Sequence, residues 1–257
     1  MKQIIITLAA TALLLAACNR QDTFSIEGTL QNGAGKTIYI EELTPKDGAL
    51  FIDSIQLDNN GHFLFKYKMP YKTFYNLHVN EYDYVVLLPD SREKIKITGD
   101  YNHLDDSYEV SGSPESILLW QLQDYSNLGI AALKELAMTD KENKANLSEA
   151  DYLAAKEKTD SIFIENFHMQ REYVCNFITN NQGSLATLIA LYKPFNVSQP
   201  LLAPEVAFDY YETVLEGLEE TLPDNPHTIH FRNTVEVLRH TFGQPKEAAT
   251  FDFVDLK

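Results

Sequence analysis

The chain is short of cysteine, tryptophan and positive charge. Its 257 residues hold two cysteines, one tryptophan, and 21 lysines and arginines against 37 acids, for a formal net charge of −16. Each shortage excludes something. Cys18 and Cys175 stand far apart, so no Cys-x-x-Cys is available for redox work and no cysteine-rich zinc site can be assembled. A chain this acidic repels phosphate backbones and anionic membrane surfaces, which argues against a nucleic-acid partner. No phosphate-binding glycine loop, dinucleotide fingerprint, Gly-x-Ser-x-Gly elbow or His-Glu-x-x-His pair occurs in the sequence. No cofactor and no metal is expected. Internal repeats and low-complexity stretches are missing too. What is present is 44% hydrophobic residues, enough for a packed core without disulfides.

The N-terminus has the build of an export signal. Lys2 supplies a positive start, and Ile4 to Leu15 is an apolar run broken only by small residues and threonines. The run is too short and too abruptly ended for a comfortable transmembrane helix. Leu15-Ala16-Ala17-Cys18 resembles a lipobox, the cleavage signal of bacterial lipoproteins. That resemblance implies removal of residues 1–17 and lipidation of Cys18, with the membrane as a partner through the acyl chains. An ordinary cleaved signal with Cys18 as a free thiol is the alternative. One acyl chain anchors only marginally, at about 0.8 kcal/mol per buried methylene, so a durable anchor needs several. Residues 18–22 form a polar tether that reaches at most ~14 Å over its last four positions. Asn19 resembles a sorting signal that releases a lipoprotein to the outer membrane. With Cys18 acylated, Cys175 is the remaining thiol and no internal disulfide can form.

Two halves follow with different periods. Residues 23–112 alternate every second position: Phe24 and Ile26 against Ser25 and Glu27, Phe63, Phe65 and Tyr67 against Leu64 and Lys66, Ile95 and Ile97 against Lys94 and Lys96. Such alternation buries one face of each strand. Asn32-Gly33 and Gly35 punctuate the first two strands. Asp58-Asn59-Asn60-Gly61 is expected to close a hairpin between Ile52–Leu57 and His62–Met69. About eight short strands are expected, in an antiparallel sandwich or open barrel. Residues 113–243 change to a helical period. Ser113-Pro114-Glu115 starts a helix with a capping hydroxyl, a proline and an acid. Asp140 to Asn146 is expected to be a polar break, and Ser148 with Asp151 has capping-box spacing. Phe163, Phe167, Val174 and Ile178 form one stripe; Ala207, Tyr211, Val214 and Leu218 another; Phe231, Val235, Leu238 and Phe242 a third. The fold class expected is α+β: an N-terminal antiparallel β-sandwich followed by a bundle of about five helices.

The first half resembles the small β-sandwich domain of Bacteroidetes lipoproteins, a domain of unknown function that usually precedes a thioredoxin-like domain of the TlpA or peroxiredoxin type. The residues that carry this are Ile26-Glu27-Gly28, Asp53-Ser54-Ile55, Asn60-Gly61-His62-Phe63, Leu88-Pro89, Ile95-Lys96-Ile97-Thr98 and Val110-Ser111-Gly112-Ser113. Ser184 to Leu188, Tyr211 to Leu218, Pro226 and Gly243 recur in that family's order. Residues 244–257, with Ala248-Ala249-Thr250-Phe251-Asp252-Phe253, resemble the entry to the thioredoxin-like domain, with Ala249 and Thr250 in place of its proline and aspartate. The Trp-Cys-x-x-Cys of that domain has no counterpart here. Trp120, the single tryptophan, lies in a helical stretch. A disulfide oxidoreductase needs a thiolate and a resolving thiol, so the family's catalytic residues do not carry over. The resemblance implies a lipid-anchored cell-envelope protein that is not itself an enzyme: the front part of such an oxidoreductase, acting as spacer and partner-docking module.

The rival reading is a stand-alone surface module for glycan or peptide. Tyr71, Phe74, Tyr75, Tyr82 and Tyr84 make a dense aromatic stretch; core packing explains most of it, and Tyr75 and Tyr84 are the candidates for stacking on a ligand. Cys175 reads as a small buried hydrophobe, with a one-cysteine redox role as the option that Arg171 would have to support. His227-x-x-His230 with Glu236 and His240 reads as a solvated surface rather than a metal site, and Glu216, Glu219 and Glu220 as a solvated helix face. Ser54 and Ser161, each in Asp-Ser-Ile, match a short O-glycosylation pattern of Bacteroidetes envelope proteins.

Overall fold

The computed structural model describes residues 22–242. The lipobox with Cys18, most of the tether and residues 244–257 lie outside the described residues. Eight strands come first: β1 (Thr23–Gln31), β2 (Thr37–Thr44), β3 (Gly48–Gln56), β4 (His62–Lys68), β5 (Phe74–His78), β6 (Tyr84–Leu87), β7 (Lys94–Asp100) and β8 (Glu109–Ser111), with the one-turn helix α1 (Leu104–Ser107) between the last two. Helices follow: α2 (Pro114–Asn146), α3 (Glu149–Asn180) and α4 (Ala186–Leu191), then a small β9 (Pro194–Asn196) and β10 (Gln199–Pro200) pair, then α5 (Pro204–Thr221) and α6 (Pro226–Phe242). The architecture is mixed, sheets first and helices after.

The strands form two four-stranded sheets, ordered β4-β1-β7-β8 and β3-β2-β5-β6. One core lies between them. Phe24, Ile26, Ile95 and Ile97 of the first sheet meet Ile38, Ile40, Tyr75 and Leu77 of the second, all essentially inaccessible. The Phe24 and Tyr75 rings, 4.8 Å apart, cross between the sheets. The sheets do not close into a barrel. Neither is the pairing antiparallel throughout: β1 runs parallel to β7, with Ile26 opposite Ile95.

The Asp58–Gly61 turn forms as its chemistry demands. The Asp58 side chain accepts from the backbone N–H groups of Asn60 and His62, and Gly61 takes φ +75. It is not a hairpin, however. β3 pairs with β2, and β4 with β1. The turn carries the chain from one sheet to the other. Local turn residues fix the reversal, while partner choice belongs to the long-range core.

Helix α2 starts where the capping residues put it: Ser113 accepts from the Ser116 N–H, with Pro114 in the first turn. The expected break at Asp140 to Asn146 does not occur. These residues are the last turns of α2. Lys, Glu and Ala favour helix, so polarity alone does not stop one. The reversal comes at Leu147-Ser148, where Ser148 Oγ accepts from the Asp151 N–H at 3.3 Å and donates to its carboxylate at 2.6 Å. The α5 stripe is buried as its spacing requires, Val214 and Leu218 fully so, while on α6 Phe231 and Val235 are buried and Leu238 and Phe242 only partly. The helices share a second core with Phe74 and Leu88 from the outer face of the β3-β2-β5-β6 sheet.

Candidate functional site

Three features could serve a partner or ligand: the half-covered outer face of the β3-β2-β5-β6 sheet, the junction of that sheet with the helices, and the long α2/α3 hairpin.

Alternation decides the first. In β5, Tyr75 and Leu77 point into the intersheet core, while Phe74, Asn76 and His78 point outward. Register then builds rows on the outer face. Tyr39 lies opposite Ser54 on one side and His78 on the other, and His78 lies opposite Tyr84. The next row is Phe51, Glu41, Asn76 and Val86. The helical core covers the Phe74 and Leu88 end. The far end stays open, with Tyr39 37%, Tyr84 46% and Tyr82 85% exposed. Tyr39 and His78 stack at 5.3 Å between ring centroids. Glu41 Oε2 accepts from Asn76 Nδ2 at 3.3 Å and lies 3.6 Å from His78 Nε2, beyond hydrogen-bond reach. Asn76 Oδ1 and both His78 ring nitrogens have no hydrogen-bond partner among the described residues.

Tyr75 therefore cannot stack on a ligand. It is 0% exposed, packed against Phe24 and Tyr67, and burial pushes its phenol far above the ordinary value. The signal was in the alternation: Tyr75 shares parity with Leu77, whereas Tyr39 stands between Ile38 and Ile40 and had to face out. The Tyr75 hydroxyl is buried without a hydrogen-bond partner among the described residues. Tyr75→Phe is thus expected to leave stability unchanged or raise it by up to about 1 kcal/mol in urea unfolding; a clear loss would mean that the hydroxyl has a partner.

The junction centres on residues 71–74. Lys72 Nζ lies 3.0 Å from Asp90 and 2.7 Å from Glu115, whose other oxygen accepts from Ser184 Oγ. Burial works against the Lys72 charge, but the two carboxylates outweigh it and hold the ammonium above its ordinary value. Asn225 Nδ2 donates to the Lys72 carbonyl at 2.7 Å. His227 is buried, not solvated as its spacing suggested. Its Nε2 lies 2.7 Å from Thr73 Oγ1, and its ring stands edge-on to Phe74. Burial, with help from the nearby His230, brings its pKa down to about 4. Among the described residues no cluster of His, Cys, Asp and Glu could hold a metal ion.

The hairpin is the third feature. α2 and α3, 33 and 32 residues long, each run roughly 50 Å. No residue from Ile130 to Glu165 is buried. Met138, Leu153, Ile162 and Ile164 are exposed within that stretch, and Leu128 just before it. The base is fixed by the stacked Tyr125 and Tyr173 rings and by Asn166 and Gln170 side chains that donate to the Gly129 and Tyr125 carbonyls.

Other candidates sit apart from one another. Cys175 is half-buried on α3, against Tyr210, whose hydroxyl is raised chiefly by its hydrogen bond with the thiol. Ser54 is exposed on β3, and Ser161 is exposed on α3 with its hydroxyl donating to the Glu157 carbonyl. Sequence reasoning missed an acidic cleft of about 170 Å³ between α1 and α2, lined by Asp105, Asp106, Glu109, Trp120 and Asp124. It also missed Lys193, whose half-buried amine donates to Gln123 at 2.7 Å and is brought down to about 8 by desolvation.

The two sheets together with the first turns of α2 are the stretch that comparison recognises. Residues 24–119 match the family model described as a domain of unknown function (DUF4369). A DUF4369 domain is present there. No curated protein matches the chain. The match runs past Gly112 to Leu119, and the structure gives the reason: Ser116 Oγ accepts from the Leu88 N–H and Ser113 Oγ donates to the Leu88 carbonyl, so the α2 start is bonded to the DUF4369 sheet. The aromatic face lies wholly within the DUF4369 domain, while the hairpin lies almost wholly beyond it. No helix of the described residues is long and apolar enough to cross a membrane.

Proposed function

We propose that this protein is a lipid-anchored module of the bacterial cell envelope that performs no chemistry itself. In this reading it holds a partner near the membrane, and the partner is a thioredoxin-like oxidoreductase domain. The DUF4369 sandwich is the spacer next to the anchor, and the α2/α3 hairpin is the docking arm. The observation that carries the reading is the arm: two helices that continue for roughly 25 Å beyond any buried residue, with apolar side chains exposed along them. An arm of this kind buries nothing in the core it leaves, and its exposed apolar side chains are the surface a partner would cover. The acidic surface supports attachment by acyl chains in preference to electrostatic adhesion. Ser54 and Ser161, both exposed, are the positions at which envelope O-glycosylation is expected.

The test has two arms. In growing cells, wild-type protein is expected to incorporate labelled palmitate and to sediment with outer membranes, and Cys18→Ser to lose both. A photo-crosslinking residue at Met138 or Leu153 is expected to join the chain to a protein with a Trp-Cys-x-x-Cys domain. An unlabelled wild-type chain would sink the anchor. Crosslinks to unrelated proteins only, or none at either position, would sink the docking role.

A further inference from the structure

We propose that the open end of the β3-β2-β5-β6 face is a saccharide-binding platform formed by Tyr39, His78 and Tyr84, with Glu41 and Asn76 as its polar partners. This surface is separate from the hairpin, and the proposal stands or falls independently of the docking role.

A pyranose ring offers one apolar C–H face and a rim of hydroxyls that both donate and accept. The face that fits it has flat rings for stacking and uncommitted polar atoms beside them. Tyr39 and Tyr84 flank His78 in one cross-strand row, so the three rings are spaced by the sheet, about 5 Å from strand to strand. Neither exposed phenol hydroxyl is hydrogen-bonded to another described residue. The next row supplies a part-exposed carboxylate and an amide: among the described residues Glu41 is engaged through Oε2 alone, and Asn76 Oδ1 is unpaired but covered. His78 completes the set. Its two nitrogens are covered by neighbours that give them no hydrogen bond. The exposed Tyr39 ring stacks on it, so the imidazole backs the platform and holds that ring flat.

The chemistry also says what does not fit. No lysine or arginine stands in either row, and Glu41 is at the centre, so an anionic ligand would meet repulsion. An apolar peptide laid on the face would seal the part-exposed Glu41 carboxylate without a partner, at about 1–3 kcal/mol or more. A neutral saccharide can give it a hydroxyl.

The test is affinity electrophoresis of the full chain through native gels containing mixed-linkage β-glucan, xylan, mannan or, as the anionic control, polygalacturonate. At least one neutral polysaccharide is expected to retard the wild type. The Tyr39→Ala, Tyr84→Ala double variant is expected to lose about ten-fold in affinity, and Tyr84→Phe, which keeps the ring, less than three-fold. Both mutated side chains are exposed, so the double variant should melt within a few degrees of the wild type, and that melt is the folding control. The proposal is overturned by three outcomes: no retardation in the three neutral gels, retardation by polygalacturonate alone, or retardation that the double variant leaves intact. Capture of an apolar strand peptide by the wild type and not by the double variant, with all neutral gels inert, likewise overturns it in favour of a peptide groove.

Discussion

Gly112→Ala is expected to destabilise the protein by about 3 kcal/mol or more. Gly112 is the single residue between β8 and the Ser113 cap of α2, and it holds φ +81. A left-handed backbone costs any residue with a Cβ about 1–2 kcal/mol. Here the Cβ would also stand 2.1 Å from the Lys94 carbonyl oxygen, a backbone atom fixed in β7 that cannot turn aside. The strand would have to move, and β7 is central to its sheet, paired to both β1 and β8. For a chain of this size the melting temperature should fall by roughly 10 °C. Calorimetry settles it; a Gly112→Ala protein that melts within two or three degrees of the wild type would show that the joint is not held as described. Gly48→Ala is the natural comparison. It also has positive φ, but its Cβ would meet nothing within 4 Å, so only the backbone term should appear.

Acid should loosen the sheet-to-helix junction through His227. The folded state keeps this imidazole neutral, with a pKa brought down to about 4 by burial and by His230. In the unfolded chain it titrates near 6.5. Between those values the unfolded state binds more protons, so stability rises with pH across that window. The contribution is fully present above pH 6.5 and is lost as the pH falls to about 4; it amounts to roughly 3 kcal/mol. Geometry explains the preference. The Thr73 hydroxyl gives its proton to the Leu43 carbonyl at 2.9 Å, so the 2.7 Å contact assigns His227 Nε2 as donor to Thr73 Oγ1. One ring proton serves that bond, and burial of the ring disfavours the charge a second would bring. Urea midpoints measured from pH 7 to 4 should drop more steeply for the wild type than for His227→Gln, which retains a donor and cannot titrate. Parallel curves would remove His227 from the account.

Much of the site lay in the sequence as parity. Ile38-Tyr39-Ile40 and Tyr75-Asn76-Leu77 state which side chains share a face, because strand alternation is a covalent consequence of backbone pleating. The density of aromatics from Tyr71 to Tyr84 points to Tyr75 as a surface ring, but its parity with Leu77 puts it in the core. What no local pattern could show is that Tyr39, His78 and Tyr84 form one row, since that depends on which strand pairs with which and in what register.

The sequence by itself determined the order of strands first and helices after, the Ser113 and Ser148 starts, the Asp58–Gly61 reversal and the buried stripe of α5. These are settled by alternation, capping and positive φ within a few residues. Tertiary structure alone decided that the Asp58–Gly61 turn passes between sheets, that β1 runs parallel to β7 and that His227 is buried. Each of those rests on contacts between residues far apart in the chain, and a buried environment, unlike a turn, has no signature in its own residues.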